Sequence, residues 1–349
     1  MNRLKKINIS LVLIIAILAA SLGLAGCKGK VYLTTGLNKN ELIKVSGQVV
    51  PMSLGKLILA VEKNSYSEGM KDDIWKTTVD GETLEKRLKD TVINQLSELK
   101  TISMLAVEKN IALTTSEKEK IQTAGKEFYE SLKKEEIDSL GITKEDINTL
   151  YEYFTLSERL YELTTSSIDV EISDEEARVI KVQYCYVRNY YCDENNVEHK
   201  LDKDGLKAAR AKIDEAYNKI TNGGDFSLIS KEYSDDTIYE YEFGRGEMDE
   251  NFEKQAFLLE NGQVSGVVEG EKGFYIIKCI SNYEELKTEE NKRELLKKYK
   301  NKAFTDMYEP YIQKQTFEYN KSYDDIDINS IVFNNSKLYE IYAKYFEEQ

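Results

Sequence analysis

The residues able to do chemistry are few. The 349-residue chain holds one histidine, His199, and four cysteines, Cys27, Cys185, Cys192 and Cys279. A single histidine excludes a three-histidine zinc centre, and a Ser-His-Asp mechanism would have to use His199. After Cys27 the cysteine spacing matches no zinc pattern, and three thiols are an odd number for a disulfide framework. Free buried thiols are the expected state, with one disulfide among Cys185, Cys192 and Cys279 left open. The acidic segments at 193–196 and 202–204 lack the spacing of an EF-hand loop, so no metal is expected. Met248 and Phe252 stand four apart and are able to present one apolar face on a helix. Their alternative role is plain core packing.

Composition narrows the classes further. The 48 basic and 62 acidic residues leave a net charge of −14, which provides no basic footprint for nucleic acid. At 41% hydrophobic and 32% charged, the chain is neither a multi-span membrane protein nor a typical disordered one. Tyrosine is abundant, at 24 residues. Proline is scarce: Pro51 and Pro310 are the two present, where usage near ~5% would give about 17.

The N-terminus reads as an address. Arg3, Lys5 and Lys6 precede an apolar run from Leu11 to Gly26. That run is shorter than the ~20 residues a membrane span needs, and a basic stretch followed by a short apolar one is a secretory signal. It ends in Leu24-Ala25-Gly26-Cys27, which resembles the bacterial lipoprotein lipobox, with the Cys27 thiol as the atom that would carry lipid. Removing residues 1–26 removes three cations and no acid, taking −14 to −17. Acyl chains on Cys27, at about 0.8 kcal/mol per buried CH₂, would hold an acidic body outside the membrane. Residues 27–40, with Gly29 and Gly36, are expected to serve as its tether.

The elements that must position any site follow from periodicity. Residues 41–50 read as a strand with a turn at Ser46-Gly47. Leu84, Leu88, Val92, Leu96 and Leu99 stack on one helical face, and that helix continues toward Ile111. Ser116 with Glu119, Thr143 with Asp146, and Ser173 with Glu176 fit the signature of a helix start. At least four helices are therefore expected between 84 and 180. Tyr and Leu in 150–163 read as core. From Val179 to Val187 the residues are β-branched and aromatic, as a strand requires. Helices over 201–220, 226–233 and 252–259 and strands over 263–268 and 273–280 complete a β-α-α-α-β-β domain. From Glu284 onward the chain reads as helical. Tyr339, Tyr342 and Tyr345, three apart near the C-terminus, suit self-packing or a dimer contact.

The stretch 222–279 carries a resemblance. NGGDFSLISKEYSDD (222–236), FGRGEMDENFEKQAFLLENGQVSGVV (243–268) and GFYIIKC (273–279) resemble the parvulin family of peptidyl-prolyl isomerases in order and spacing. The resemblance covers about 180–281. It implies a parvulin fold, no cofactor, a proline pocket including Met248 and Phe252, and a polar centre at Asp236. The family's two strand histidines fall on Tyr184 and Tyr275, and His199 aligns with neither. About five residues are missing between Asp236 and Met248, which removes a wall of the usual pocket unless Ile238 or Phe243 replaces it. Isomerase chemistry lowers a barrier of about 18–20 kcal/mol by gripping the ring and stabilising the twisted amide. The tyrosine pair either supports Asp236 in that task or marks a site that has lost it.

The flanks add a narrower resemblance. A lipoprotein signal, a helical N-region, a central parvulin-like domain and a C-terminal helix resemble the PrsA-type foldases and, more distantly, SurA. ELIKVSGQVV (41–50) and AVEKNIALTTSEKE (106–119) carry it outside the isomerase stretch. The expected fold class is α+β, with residues 41–178 and 284–349 forming a helical chaperone-like body around a parvulin-like domain at 179–283. The implied role is a membrane-tethered extracytoplasmic foldase acting on unfolded exported polypeptides, with isomerase activity. The alternative is a holdase with a degenerate parvulin domain. A solute-binding or scaffold lipoprotein is a third reading, but nothing suggests a two-lobed binding cleft.

Overall fold

The computed structural model describes residues 32–33, 36–67, 72–194, 196–237 and 240–346. The signal stretch, the lipobox and Cys27 lie outside these residues. In chain order the strands and α-helices begin with β1 (Tyr32–Leu33), β2 (Glu41–Val45), β3 (Gln48–Pro51), α1 (Met52–Ser67), β4 (Thr78–Val79) and β5 (Glu82–Thr83). Next come α2 (Leu84–Glu108), α3 (Thr115–Ser131), α4 (Lys134–Leu140), α5 (Lys144–Thr165) and α6 (Asp174–Ala177). They are followed by β6 (Ile180–Arg188), β7 (Tyr190–Cys192), β8 (Glu198–Lys200), α7 (Lys203–Thr221), α8 (Phe226–Tyr233), β9 (Glu240–Phe243) and α9 (Glu250–Ala256). The chain ends with β10 (Val268–Glu269), β11 (Gly273–Ser281), α10 (Glu285–Ile312), β12 (Phe317–Tyr319) and α11 (Leu338–Phe346). Among the described residues no helix is long and apolar enough to cross a membrane. This α+β chain divides into two compact units, residues 1–168 with 300–349, and residues 169–299.

The first unit is built from both ends of the chain. β2 and β3 form a hairpin whose turn places Ser46 at φ 45° and Gly47 at φ 86°. Two consecutive positive φ values define the tight turn that matches strand twist, and a glycine at the second position adopts one without strain. The sequence expectation of one strand with a turn is thus a two-stranded hairpin. Its sheet runs β1-β12-β2-β3, so a strand from beyond residue 300 lies beside one from before residue 50. Tyr32 and Leu33, within the stretch read as a tether, pair in parallel with β12. Helix α2 buries Leu88, Val92, Leu96, Leu99, Ile102 and Leu105, as the spacing predicts.

The capping signals hold with one shift. Thr143 and Asp146 exchange their bonds at the start of α5, and Ser173 accepts from the Glu176 N–H. For α3 the cap is Thr114 with Glu117, not Ser116 with Glu119. Two overlapping Ser/Thr-x-x-Glu frames exist here. Arg159 favours the earlier one by reaching Glu117 at 2.7 Å. Near the C-terminus, Tyr342 is fully buried, donates to Glu158 at 2.9 Å and lies 5.3 Å from the Tyr151 ring. The terminal tyrosines are therefore partly interior to this unit. Residues 313–337 are not helical as expected: they hold β12, short 3-10 turns and extended chain.

The second unit is a four-stranded antiparallel sheet, ordered β10-β11-β6-β9, with a different core on each face. Alternation along β6 sends Cys185 and Val187 to the face covered by α7 and α8, against Ala209, Ile213, Phe226 and Ile229. Tyr184 and Tyr186 go to the opposite face, toward Phe243, Phe252 and Phe257. Strand β9 departs from the expected β-α-α-α-β-β order. Glu240 and Glu242 disguise it in the sequence, and Lys181 on β6 pairs with Glu242 at 3.1 Å. The expected strand over 263–268 is reduced to Val268–Glu269 and a bridge from Val264 to Lys278. Between them Ser265 Oγ accepts from the Ile277 N–H at 2.9 Å, so a side chain replaces a ladder bond. Cys185, Cys192 and Cys279 are free thiols, and Cys192 is exposed because it lies on the outlying β7–β8 hairpin.

Burial of phenols predicts a distinct alkaline behaviour. Tyr275 and Tyr153 are each pushed up to about 12, chiefly by burial. Tyr151, Tyr323 and Tyr342 are raised further by the same cause. A phenol that is harder to ionise when folded contributes stability that is fully present below pH ~10 and is lost as pH rises through its folded value. Titration at 295 nm should show exposed tyrosines ionising near pH ~10. The buried set should follow only as far-ultraviolet ellipticity falls. One complete wave near pH ~10 with ellipticity unchanged would contradict the burial.

Candidate active site

The loop after α8 places the first polar group. Ser234 Oγ accepts from the Tyr186 N–H at 3.1 Å, and the Asp235 N–H donates to the Tyr186 carbonyl at 2.7 Å. Asp235 also accepts from the Arg188 N–H at 3.0 Å and from Lys212 at 2.6 Å. These bonds dock the Ser-Asp segment onto β6 and leave the next residue, Asp236, facing Tyr184. The Tyr184 hydroxyl donates to Asp236 Oδ2 at 2.8 Å.

Glutamates hold the loop before α9. The Gly244 N–H donates to Glu247 at 2.8 Å, and the Gly246 N–H donates to Glu253 at 2.7 Å. Asp249 caps α9 by accepting from the Asn251 and Phe252 N–H groups at 3.0 and 3.1 Å. Its other oxygen accepts from the Glu271 N–H at 2.8 Å, which ties the helix start to the turn before β11. Met248 is thereby fixed beside the sheet, and Phe252 points inward.

The predicted site residues meet on one face. The Phe252 ring lies edge-on to Tyr184 at 5.7 Å and to Tyr275 at 5.1 Å. Tyr184 and Tyr275 are 6.4 Å apart at 64°, an edge-to-face pair. The register explains this: Tyr275 lies opposite Tyr186, and Tyr184 lies opposite Ile277. Tyr186, which sequence reasoning did not single out, stacks on Tyr275 at 4.8 Å and 21°. Its signal was available as the i+2 neighbour of Tyr184 on the same strand face. Met248 and Tyr275 are half-buried against the same cluster. Phe252 and Phe243 are 0% and 1% exposed, so they form the floor, with Phe243 behind Phe252 and also against Phe257. Ile238 lies outside the described residues. His199 is elsewhere, stacked on Tyr191 and 3.0 Å from Asp193.

Of the candidate site residues, Met248 borders an open cleft, and Asp236, Tyr184 and Tyr275 are not part of its lining. That cleft, of about 730 Å³, is lined by Met248, Asp249, Glu250, Asn251 and the turn from Glu269 to Glu271. Burial, then the bond to Asp236, raises the Tyr184 phenol, and burial with the Asp249 charge raises Tyr275. Both stay protonated at neutral pH, and Tyr184 donates to Asp236. The arrangement combines an apolar and aromatic surface, a carboxyl group and phenolic hydroxyls. Among the described residues no cluster of ligating side chains could hold a metal.

Residues 196–281 match the Rotamase family, the PPIC-type PPIASE domain. That match begins after β6, so Tyr184 and Tyr186 precede it. The chain carries a PPIC-type parvulin domain and is homologous to the PrsA foldase proteins. The foldase protein PrsA of Caldanaerobacter subterraneus subsp. tengcongensis is 28% identical over 296 residues, covering 77% of this chain and 86% of that one. Foldase protein PrsA 3 of Bacillus cereus is 27% identical over 255 residues, covering 70% and 82%. A crystal structure of peptidylprolyl isomerase PrsA from Bacillus cereus has 20% identity and a TM-score of 0.37, covering 78% of this chain and 98% of that one.

Proposed function

We propose that this chain is an extracytoplasmic foldase, lipid-anchored through Cys27, that binds unfolded exported polypeptides and isomerises their X-Pro bonds on the Tyr184–Asp236 face. Homology to proteins named as foldases supports the folding role. The single observation that carries the catalytic assignment is the 2.8 Å bond from Tyr184 to Asp236. It presents an oriented carboxyl group at the ring layer of Tyr184 and Tyr275. The rim grips the proline ring, and the polar groups act on the amide as it twists and its nitrogen loses conjugation. No cofactor enters this chemistry.

A second reading has its own observation. The aromatic floor is closed, with Phe252 fully buried, so a proline ring meets only the rim. In that reading the chain is a holdase that binds segments on its surface without accelerating rotation. One set of measurements separates the two. The chain without its signal should suppress aggregation of an unfolded client and also accelerate isomerisation of a proline tetrapeptide. Suppression without acceleration selects the holdase, and neither effect rejects the foldase role. Cys27→Ser should release the expressed protein from the membrane fraction, and unchanged retention would reject the lipid anchor.

A further inference from the structure

We propose that Tyr186 is a positioning residue of this face, holding the Tyr275 ring and the rim turn Gly270–Lys272 in the arrangement that receives a proline segment. The inference rests on the reading of the face as a proline-peptide site. Tyr186 is not a catalytic residue here: it acts through its neighbours.

Three contacts carry the argument. First, Tyr186 and Tyr275 are register partners on adjacent antiparallel strands, so their rings are held side by side and stack at 4.8 Å. Directly opposed aromatic residues are among the cross-strand pairs that stabilise a sheet. Second, the Tyr186 hydroxyl donates to the Lys272 carbonyl at 2.7 Å, which ties the ring to the turn that lines the cleft. Third, the backbone is built around both rings. A Cβ at Gly273 would lie 2.6 Å from Tyr186 Cε2, and one at Gly270 would lie 2.9 Å from Tyr275 Cε2. The same Cβ at Gly273 would also press on the Val187 carbonyl oxygen, and that at Gly270 would lie 2.9 Å from Asp249 Oδ1, so each glycine answers to a second neighbour as well as to the ring.

The turn has other anchors, and these set the size of the effect. The Asn189 N–H also donates to the Lys272 carbonyl at 3.0 Å, and Asp249 holds the Glu271 N–H. Losing the phenol hydroxyl alone leaves the turn supported. Losing the ring removes the stacked partner of Tyr275 and leaves its ring held by the edge contacts with Phe252 and Tyr184. Tyr186 therefore matters more through its ring than through its hydroxyl.

The test uses the full chain without its signal, with ¹³C-labelled tyrosine. Aromatic spectra report the ring environment, with Tyr275 assigned by a Tyr275→Phe variant. The ligand is the tetrapeptide Ala-Ala-Pro-Phe. Tyr186→Leu should move the Tyr275 ring resonances and weaken peptide binding about fivefold, the range expected for an aromatic pair, with kcat changed less than about twofold. Tyr186→Phe, which keeps the stack, should leave Tyr275 in place. It should displace the Gly273 amide and weaken binding by about twofold. Unmoved Tyr275 resonances in Tyr186→Leu, or unchanged affinity in both variants of a wild type that binds, would overturn the proposal. If Tyr186→Leu does not fold, the Gly273 amide and affinity in Tyr186→Phe decide it. If the wild type binds no peptide, the proline-site reading fails, and movement of Tyr275 alone then decides whether Tyr186 holds that ring.

Discussion

Phe252→Ala is expected to cost the unit of residues 169–299 about 3–5 kcal/mol, the range for deleting a buried aromatic ring. The ring is fully buried and touches three other aromatic rings: Tyr184, Tyr275 and Phe243 at 5.7, 5.1 and 5.8 Å. Its removal loses transfer energy and leaves a cavity. It also loses edge contacts worth about 0.5–1.5 kcal/mol each beyond area burial. Domains are stable by only about 5–15 kcal/mol, so this loss is a large share of the total. Urea unfolding of the full chain, followed by near-ultraviolet tyrosine ellipticity, would measure it. Trp75, the one tryptophan of the chain, is buried in the other unit, so its fluorescence gives an internal reference. A loss below about 1 kcal/mol would mean that the surrounding rings close over the gap, and the floor would not depend on Phe252.

Asp236→Ala is expected to reduce kcat/KM for a proline tetrapeptide by about tenfold to a hundredfold. A hydrogen bond involving a charged group is worth roughly 1.5–3 kcal/mol, and only its strengthening in the twisted state lowers the barrier. Tyr184→Phe removes the hydroxyl that orients the carboxyl group at 2.8 Å and keeps the ring that packs on Phe252, so its loss should be smaller, about threefold to fivefold. The two residues share one interaction, so the double variant should lose less than the sum of the single losses. Met248→Ala should act mainly on KM, because its side chain is part of the accessible rim. If Asp236→Ala and Met248→Ala both leave kcat/KM within about twofold of an active wild type, the site assignment fails.

Local patterns were legible where local physics decides the outcome. The face of α2, the Thr143 cap and the full span of α8 followed from spacing and capping chemistry, which act within a turn of helix. The α3 cap was misplaced by two residues: the local signature fits both frames, and Arg159, 42 positions away, adds its bond to Glu117. Strand β9 was missed for a similar reason. EYEF carries charge at alternate positions and becomes a strand by pairing with β6 and by the contact of Glu242 with Lys181. In the candidate site, the spacing that resembles a known family pointed to Tyr184, Asp236, Met248, Phe252 and Tyr275, but not to how they pack. Phe243 proved to be floor, and Tyr186 proved to be the stacking partner of Tyr275.

The division has a physical reason. The sequence by itself determined the single histidine and hence the exclusion of a histidine-rich metal site or a dual-histidine centre. It also determined the helical faces and the two tyrosines where histidines were expected. Each of these depends on residue identity or on neighbours a few positions away. Only the tertiary structure decided how those two tyrosines are placed. Strand register set Tyr275 against Tyr186, and the docking of Ser234 and Asp235 on β6 turned Asp236 toward the Tyr184 hydroxyl. Register and loop docking are non-local, because a one-residue slip sends every side chain to the opposite face.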